Sequence, residues 1–180
     1  MGVRVLLVAV GAISVEMLSW VARQAEERFP GLDVRFLVPV WKEELPLSFY
    51  DPARMQYNAT LVNGFLYDRY RPLIEPRRRL LVGVVGADGF VSGLNFVFGL
   101  ASPEIGVASV YTARMRGPRL WERVLKVVVH ETGHLLGLGH CSDPRCVMRF
   151  SNSLMELDEK GSRFCPRCLA RLRRVVLGEG

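Results

Sequence analysis

Apolar residues along this chain change period several times, and each change marks an element. Val3–Val10 is a nearly continuous apolar run, the pattern of a strand buried on both faces. From Ser14 the apolar positions Val15, Leu18, Val21, Ala22 and Ala25 recur at helical spacing. Ser14 offers an N-cap and Pro30-Gly31 a stop, so the pattern predicts a helix reaching Phe29. Asp33–Val38 reads as a second strand, parallel to the first because a helical crossover separates them. Asp51-Pro52 then places an acceptor side chain before a proline, which predicts a helix running to about Tyr70. Its polar middle, Gln56, Tyr57, Asn58 and Asn63, reads as packing or capping.

Arg79–Val85 is β-branched and apolar enough for a central strand, and Gly86–Gly89 for a turn. Leu94–Leu100 and Gly106–Ala113 follow as two short strands. The first is glycine-flanked, and two readings stay open: an edge strand able to accept an extended peptide, or an inner hairpin strand. Pro118 opens a long helix with Leu120, Val124, Val127, Val128 and Leu135 on its apolar face, stopping near Gly137. Beyond it the chain is rich in loops, with a last helix near Pro166–Val176. The whole reads as α+β with an α/β-like N-terminal part, in a single domain.

Composition narrows the function classes. A charged fraction of 23% and an apolar fraction of 49% exclude disorder. No apolar run reaches the ~18 residues that cross a bilayer, so no membrane association is expected. Val5–Ala9 imitates a signal peptide, but Ser14 opens a helix directly after it; the run is read as the first strand and the protein as cytoplasmic. Leu6 stands where a myristoylation signal requires Ser or Thr. The net charge of +6 is carried by arginine, with lysine only at Lys42, Lys126 and Lys160. The clusters Arg77–Arg79 and Arg163, Arg167, Arg171, Arg173 and Arg174 have no interleaved aromatic pattern. They read as solvated surface, and nucleic acid is not expected as a partner.

The candidate chemistry lies between His130 and Cys168, where all three histidines and all four cysteines fall. His130 and His134 are one helical turn apart and project from one face, the reach needed for two imidazoles on one zinc. Gly137 can end the helix in a left-handed conformation and bring His140 back as a third ligand. Three imidazoles leave a fourth position open, the pattern of a catalytic zinc. Glu131 flanks the metal and can take a proton from zinc-bound water. The full spacing His-Glu-x-x-His-x-x-Gly-x-x-His, on a helix, is far more specific than its first half.

Cys141, Cys146, Cys165 and Cys168 form two pairs that suit a closed structural zinc site. A disulfide pair or a redox dithiol are the alternatives; the first needs an oxidising compartment and the second a βαβ context. Because His140 and Cys141 are neighbours, two zinc sites would share one peptide bond. Met148 is read either as an apolar floor to the first metal or as core filler, Met155 as a weaker candidate for that role, and Tyr111 as a cleft residue.

The zinc motif with its following methionine resembles the metzincin clan of metallopeptidases. Cys141, Cys146-Val147-Met148 and the Cys165/Cys168 pair make it similar to the archaemetzincins in particular, as does Asn95-Phe96-Val97-Phe98-Gly99. The resemblance implies a mixed twisted sheet with an antiparallel edge strand, two backing helices, an active-site helix and a small zinc-stapled C-terminal subdomain. Residues 1–139 would form the larger part and 140–180 the smaller, with a cleft between. It implies two zinc ions per chain: a catalytic one on His130, His134 and His140, and a structural one on the four cysteines. Glu131 would be the base and Met148 the Met-turn residue. The expected activity is hydrolysis of peptide bonds in peptide or protein substrates, by a monomer with no pro-segment cysteine. The rival class is a zinc-stabilised nucleic-acid- or protein-interaction module with a weak or vestigial hydrolytic site at the histidines. Glu131 argues against it, because binding alone needs no general base.

Overall fold

The computed structural model describes residues 2–178. Its first half comprises β1 (Val3–Val10), α1 (Val15–Glu26), β2 (Val34–Leu37), β3 (Lys42–Glu43), β4 (Tyr50–Asp51), β5 (Gln56–Asn58) and α2 (Ala59–Tyr70). The second half comprises β6 (Arg79–Val85), β7 (Gly89–Phe90), β8 (Gly99–Ser102), β9 (Val107–Tyr111), α3 (Leu120–Leu135), α4 (Leu154–Glu159) and α5 (Pro166–Leu177). The main sheet has the order β2-β1-β6-β9-β8, with β3 paired to the end of β1. β1, β2, β6 and β9 are parallel, and β8 runs antiparallel to β9 at the edge. The continuous apolar runs are thus the central parallel strands, since helices cover both of their faces. A second small sheet joins β4, β5 and β7.

α1 and α3 pack on one face of the sheet and α2 on the other. The helical period of α1 is borne out: Ser14 caps it by accepting from the Met17 N–H, and Leu18, Val21, Ala22 and Ala25 are buried. The helix ends at Glu26, and Phe29 closes the turn beyond it. The core under α1 and α3 continues without a break into Cys141, Val147, Met148, Phe164 and Leu172. The C-terminal segment therefore borrows this core instead of building its own.

Two expectations needed correction. Asp51 does accept hydrogen bonds from the Ala53 and Arg54 N–H groups, but they close a turn instead of a helix. Met55 then takes a left-handed φ of 55°, which a helix cannot pass through. Gln56–Asn58 pair as β5, and Asn58 caps α2 by accepting from Thr60 and Leu61. The second correction concerns Leu94–Leu100, where the strand begins only at Gly99. Arg54 donates to the Leu94 and Asn95 carbonyls, Gln56 also donates to Asn95, and the Arg114 guanidinium lies 4.2 Å above the Phe96 ring. These side chains commit the segment to a loop. The short helix α4 was not anticipated, although Ser153 and Glu156 carry the spacing of a capping box; Ser153 accepts from the Glu156 N–H.

Candidate active site

The histidine cluster grows from the end of α3. Gly137, with φ of 91°, ends the helix: its N–H donates to the His134 carbonyl at 2.9 Å, and the Leu138 N–H to the Gly133 carbonyl at 2.9 Å. This paired closure is available cheaply to glycine and reverses the chain at once. His140 returns to stack on His130, ring centroids 5.4 Å apart, and to meet His134 edge-on at 4.8 Å. The Nε2 atoms of His130 and His134 are 3.0 Å apart. One nitrogen from each of the three rings falls within a set no more than 4.8 Å across. Two imidazoles on a tetrahedral zinc at ~2.0–2.1 Å would stand ~3.3 Å apart, so this donor set fits the ion.

The other ring nitrogens are occupied. His130 Nδ1 lies 2.7 Å from the Val147 carbonyl and His134 Nδ1 2.8 Å from the Leu138 carbonyl. An N–H at Nδ1 donates to these acceptors and leaves Nε2 free to bind a metal. Burial lowers the pKa of all three imidazoles, keeping them in the neutral form that ligates.

Glu131 is buried beside them, and burial pushes its carboxyl up to about 8 against the opposing pull of Lys160. Lys160 is buried too: its Nζ donates to the Arg149 carbonyl at 2.9 Å and lies 3.4 Å from His130 Nδ1. Burial brings its ammonium down to about 8, with Glu131 acting the other way. Sequence reasoning missed Lys160. A signal existed in the scarcity of lysine, since two of the three, Lys126 and Lys160, prove to be buried in a chain whose surface cations, Lys42 apart, are arginines.

A cavity of about 860 Å³ opens above these residues. One wall is the 94–101 segment leading into β8, and the other is formed by Phe150, Ser151, Asn152, Leu157 and Lys160. Phe150 is half exposed and lies 5.2 Å from the His140 ring, ring to ring. α3 secures the second wall: Arg123 makes a two-point ion pair with Asp158, and Lys126 donates to the Leu157 and Asp158 carbonyls that end α4.

Met148 is fully buried, and a Cβ on Gly133 would lie 2.5 Å from its Sδ, so the thioether presses on the helix beside His134. Two other candidates move away from the site. Met155 is 68% exposed on α4. Tyr111 is buried in the opposite core, where its hydroxyl accepts from Ser109, and it does not line the cavity.

The four cysteines are free thiols and converge, their sulfurs within 4.8 Å of one another. Cys141 and Cys165 Sγ stand 3.8 Å apart. A disulfide would need ~2.0 Å, whereas two thiolates on a tetrahedral zinc at ~2.3 Å stand ~3.8 Å apart. Burial raises the Cys141 thiol, but hydrogen bonds from the Asp143 backbone, Arg167 and the neighbouring thiols outweigh it and bring it to about 7. Burial and the neighbouring thiols of Cys165, Cys141 and Cys146 push Cys168 far up. A bound cation would favour the thiolate form of all four. The Cys141 N–H donates to the Met148 carbonyl at 2.9 Å, which ties the cysteine cluster to both His140 and Met148.

Residues 42–174 match the model of peptidase family M54. The archaemetzincin of Aeropyrum pernix is 46% identical over 164 residues, spanning 87% of this chain and 86% of that one. The fold matches the crystal structure of archaemetzincin from Methanopyrus kandleri with a TM-score of 0.80 and 34% identity, over 98% of this chain and 96% of the other. A zinc-dependent peptidase from Methanocorpusculum labreanum matches with a TM-score of 0.77 and 26% identity, over 93% and 99%.

Proposed function

This chain belongs to peptidase family M54 and is a zinc metallopeptidase acting on peptides or proteins, and we propose that Glu131 is the base that activates water for the hydrolysis. His130, His134 and His140 would hold the catalytic zinc, and Cys141, Cys146, Cys165 and Cys168 a structural one, two ions per chain. The observation that carries this reading is the pair of donor clusters, one opening on the cavity and one enclosed. Bound at the three imidazoles, zinc supplies Lewis-acid polarisation of the scissile carbonyl and acidifies water.

The residues of the chain do the rest. Glu131 takes a proton from the attacking water and returns it to the leaving amine. β8, the antiparallel edge strand, would align the substrate backbone along the cleft. Met148 would serve as the floor beneath the histidines, and residues 1–139 and 140–180 as the two walls. Both donor clusters are complete within one chain, so a monomer would suffice.

Metal analysis should give two zinc ions per chain. Cleavage of a diverse peptide mixture should fall about 10²- to 10⁴-fold in Glu131→Gln with both ions retained. Equal cleavage by the two proteins would remove Glu131 from the mechanism.

A further inference from the structure

We propose that Gly99 is a positioning residue for the hydrolysis: its bare Cα is the seat of the Glu131 carboxylate, and its peptide groups bring the substrate backbone beside that seat. The proposal rests on the assignment of Glu131 as the base.

Gly99 is not a glycine of conformation. It is absent from the positive-φ residues, so its backbone would accept an ordinary side chain. Space excludes one. A Cβ at Gly99 would stand 2.7 Å from Glu131 Cδ and 2.8 Å from Cγ, and closer still to Oε1. Carbons in contact settle at about 3.5–4.0 Å, so the carboxylate would have to leave. Glu131 is only 5% exposed, rooted in α3, and lines the cavity, so the carboxylate would be driven from this seat into that space.

The peptide groups of Gly99 face the other way from those of its neighbours. The Tyr111 N–H donates to the Phe98 carbonyl at 2.8 Å, and Gly99 stands opposite Val110. In an antiparallel ladder that makes Gly99 and Val110 a non-hydrogen-bonded pair, so the N–H and C=O of Gly99 point away from β9. β8 is the edge of the sheet and Gly99 lines the cavity, so these groups meet whatever strand is added there. Ala101, the next residue with the same facing, keeps its methyl group and packs on the core. Glycine is confined to the position above the carboxylate.

The test is a double-variant cycle on the zinc-loaded protein, using a peptide taken from the cleaved mixture and acetohydroxamate as a probe with no backbone to bind. Gly99→Ala should lower kcat about 10- to 100-fold, as expected for misplacement of a reacting group by about 1 Å. KM should stay within about twofold, zinc per chain should be unchanged, and acetohydroxamate should bind about tenfold more weakly. In the Glu131→Ala background Cγ and the carboxylate are both gone and leave room for the new methyl, so adding Gly99→Ala should change acetohydroxamate affinity less than about threefold. Equal losses in both backgrounds, or no loss in the first, would overturn the proposal. If Gly99→Ala fails to fold, the double variant decides: recovered folding supports the seat, and continued misfolding refutes it. Unimpaired cleavage by Glu131→Gln would instead refute the role of Glu131 on which the proposal rests.

Discussion

The histidine and cysteine clusters share the peptide bond between His140 and Cys141, yet they are opposite in build. The histidine nitrogens open onto a cavity of about 860 Å³, and His140 is exposed. Three of the four cysteines are buried, and none lines that cavity. A metal site does chemistry only if a position is left for a reactant, and it stabilises a fold best if none is. Under the proposed assignment these two jobs lie apart in space while the chain joins them. The Cys141 N–H holds the Met148 carbonyl, so the closed cluster also helps position Met148 beside the open one.

The comparison is broken most severely by removing the closed site. Cys165→Ala with Cys168→Ala should lose one zinc ion and most of the order of residues 140–178, a loss of several kcal/mol, because metal binding there is folding energy. The melting temperature and circular dichroism would register it. The remaining zinc should also bind at least about tenfold more weakly in a chelator competition, since His140 loses its anchor. Unchanged affinity would show that the two sites are energetically independent.

Removing a ligand from the open site should separate function from fold. His134→Ala should lose the other zinc ion and all measurable peptide hydrolysis. The apo proteins, variant and wild type, should melt within a few degrees of each other, because a half-buried imidazole contributes little packing. Collapse of the fold would mean that both sites are structural.

The smallest effect sharpens the boundary between the two regions. The Arg123 guanidinium beside Asp158 holds that carboxyl below its usual range. A depressed carboxylate contributes stability above its unfolded pKa of ~3.9, and that contribution is lost as pH falls through the lower folded value. Arg123→Ala should cost about 1 kcal/mol near neutrality and flatten this acid loss, as read by urea unfolding between pH 2 and 7. Acid sensitivity identical to that of the wild type would show that the pair does not hold α4.

Legibility followed locality. The zinc motif could be read because a helix converts four-residue spacing into one face, and Gly137 converts three more residues into a reversal. The cysteine pairs could be read because tight loops leave few alternatives. Asp51-Pro52 misled because its cap-like hydrogen bonds are equally those of a turn, and only the backbone at Met55 distinguishes the two. The 94–98 segment misled because Arg54, Gln56 and Arg114 override its strand propensity from distant points in the chain.

The sequence alone therefore determined the two donor clusters, the family resemblance and the parallel core, since each rests on short-range patterns. The tertiary structure decided which core claims Tyr111, that Lys160 stands behind His130, and that Gly99 lies against Glu131. Gly99 and Glu131 meet because β8 pairs with β9 and α3 packs beneath it. Their contact is set by the packing distance between a sheet edge and a helix, which no spacing along the chain encodes.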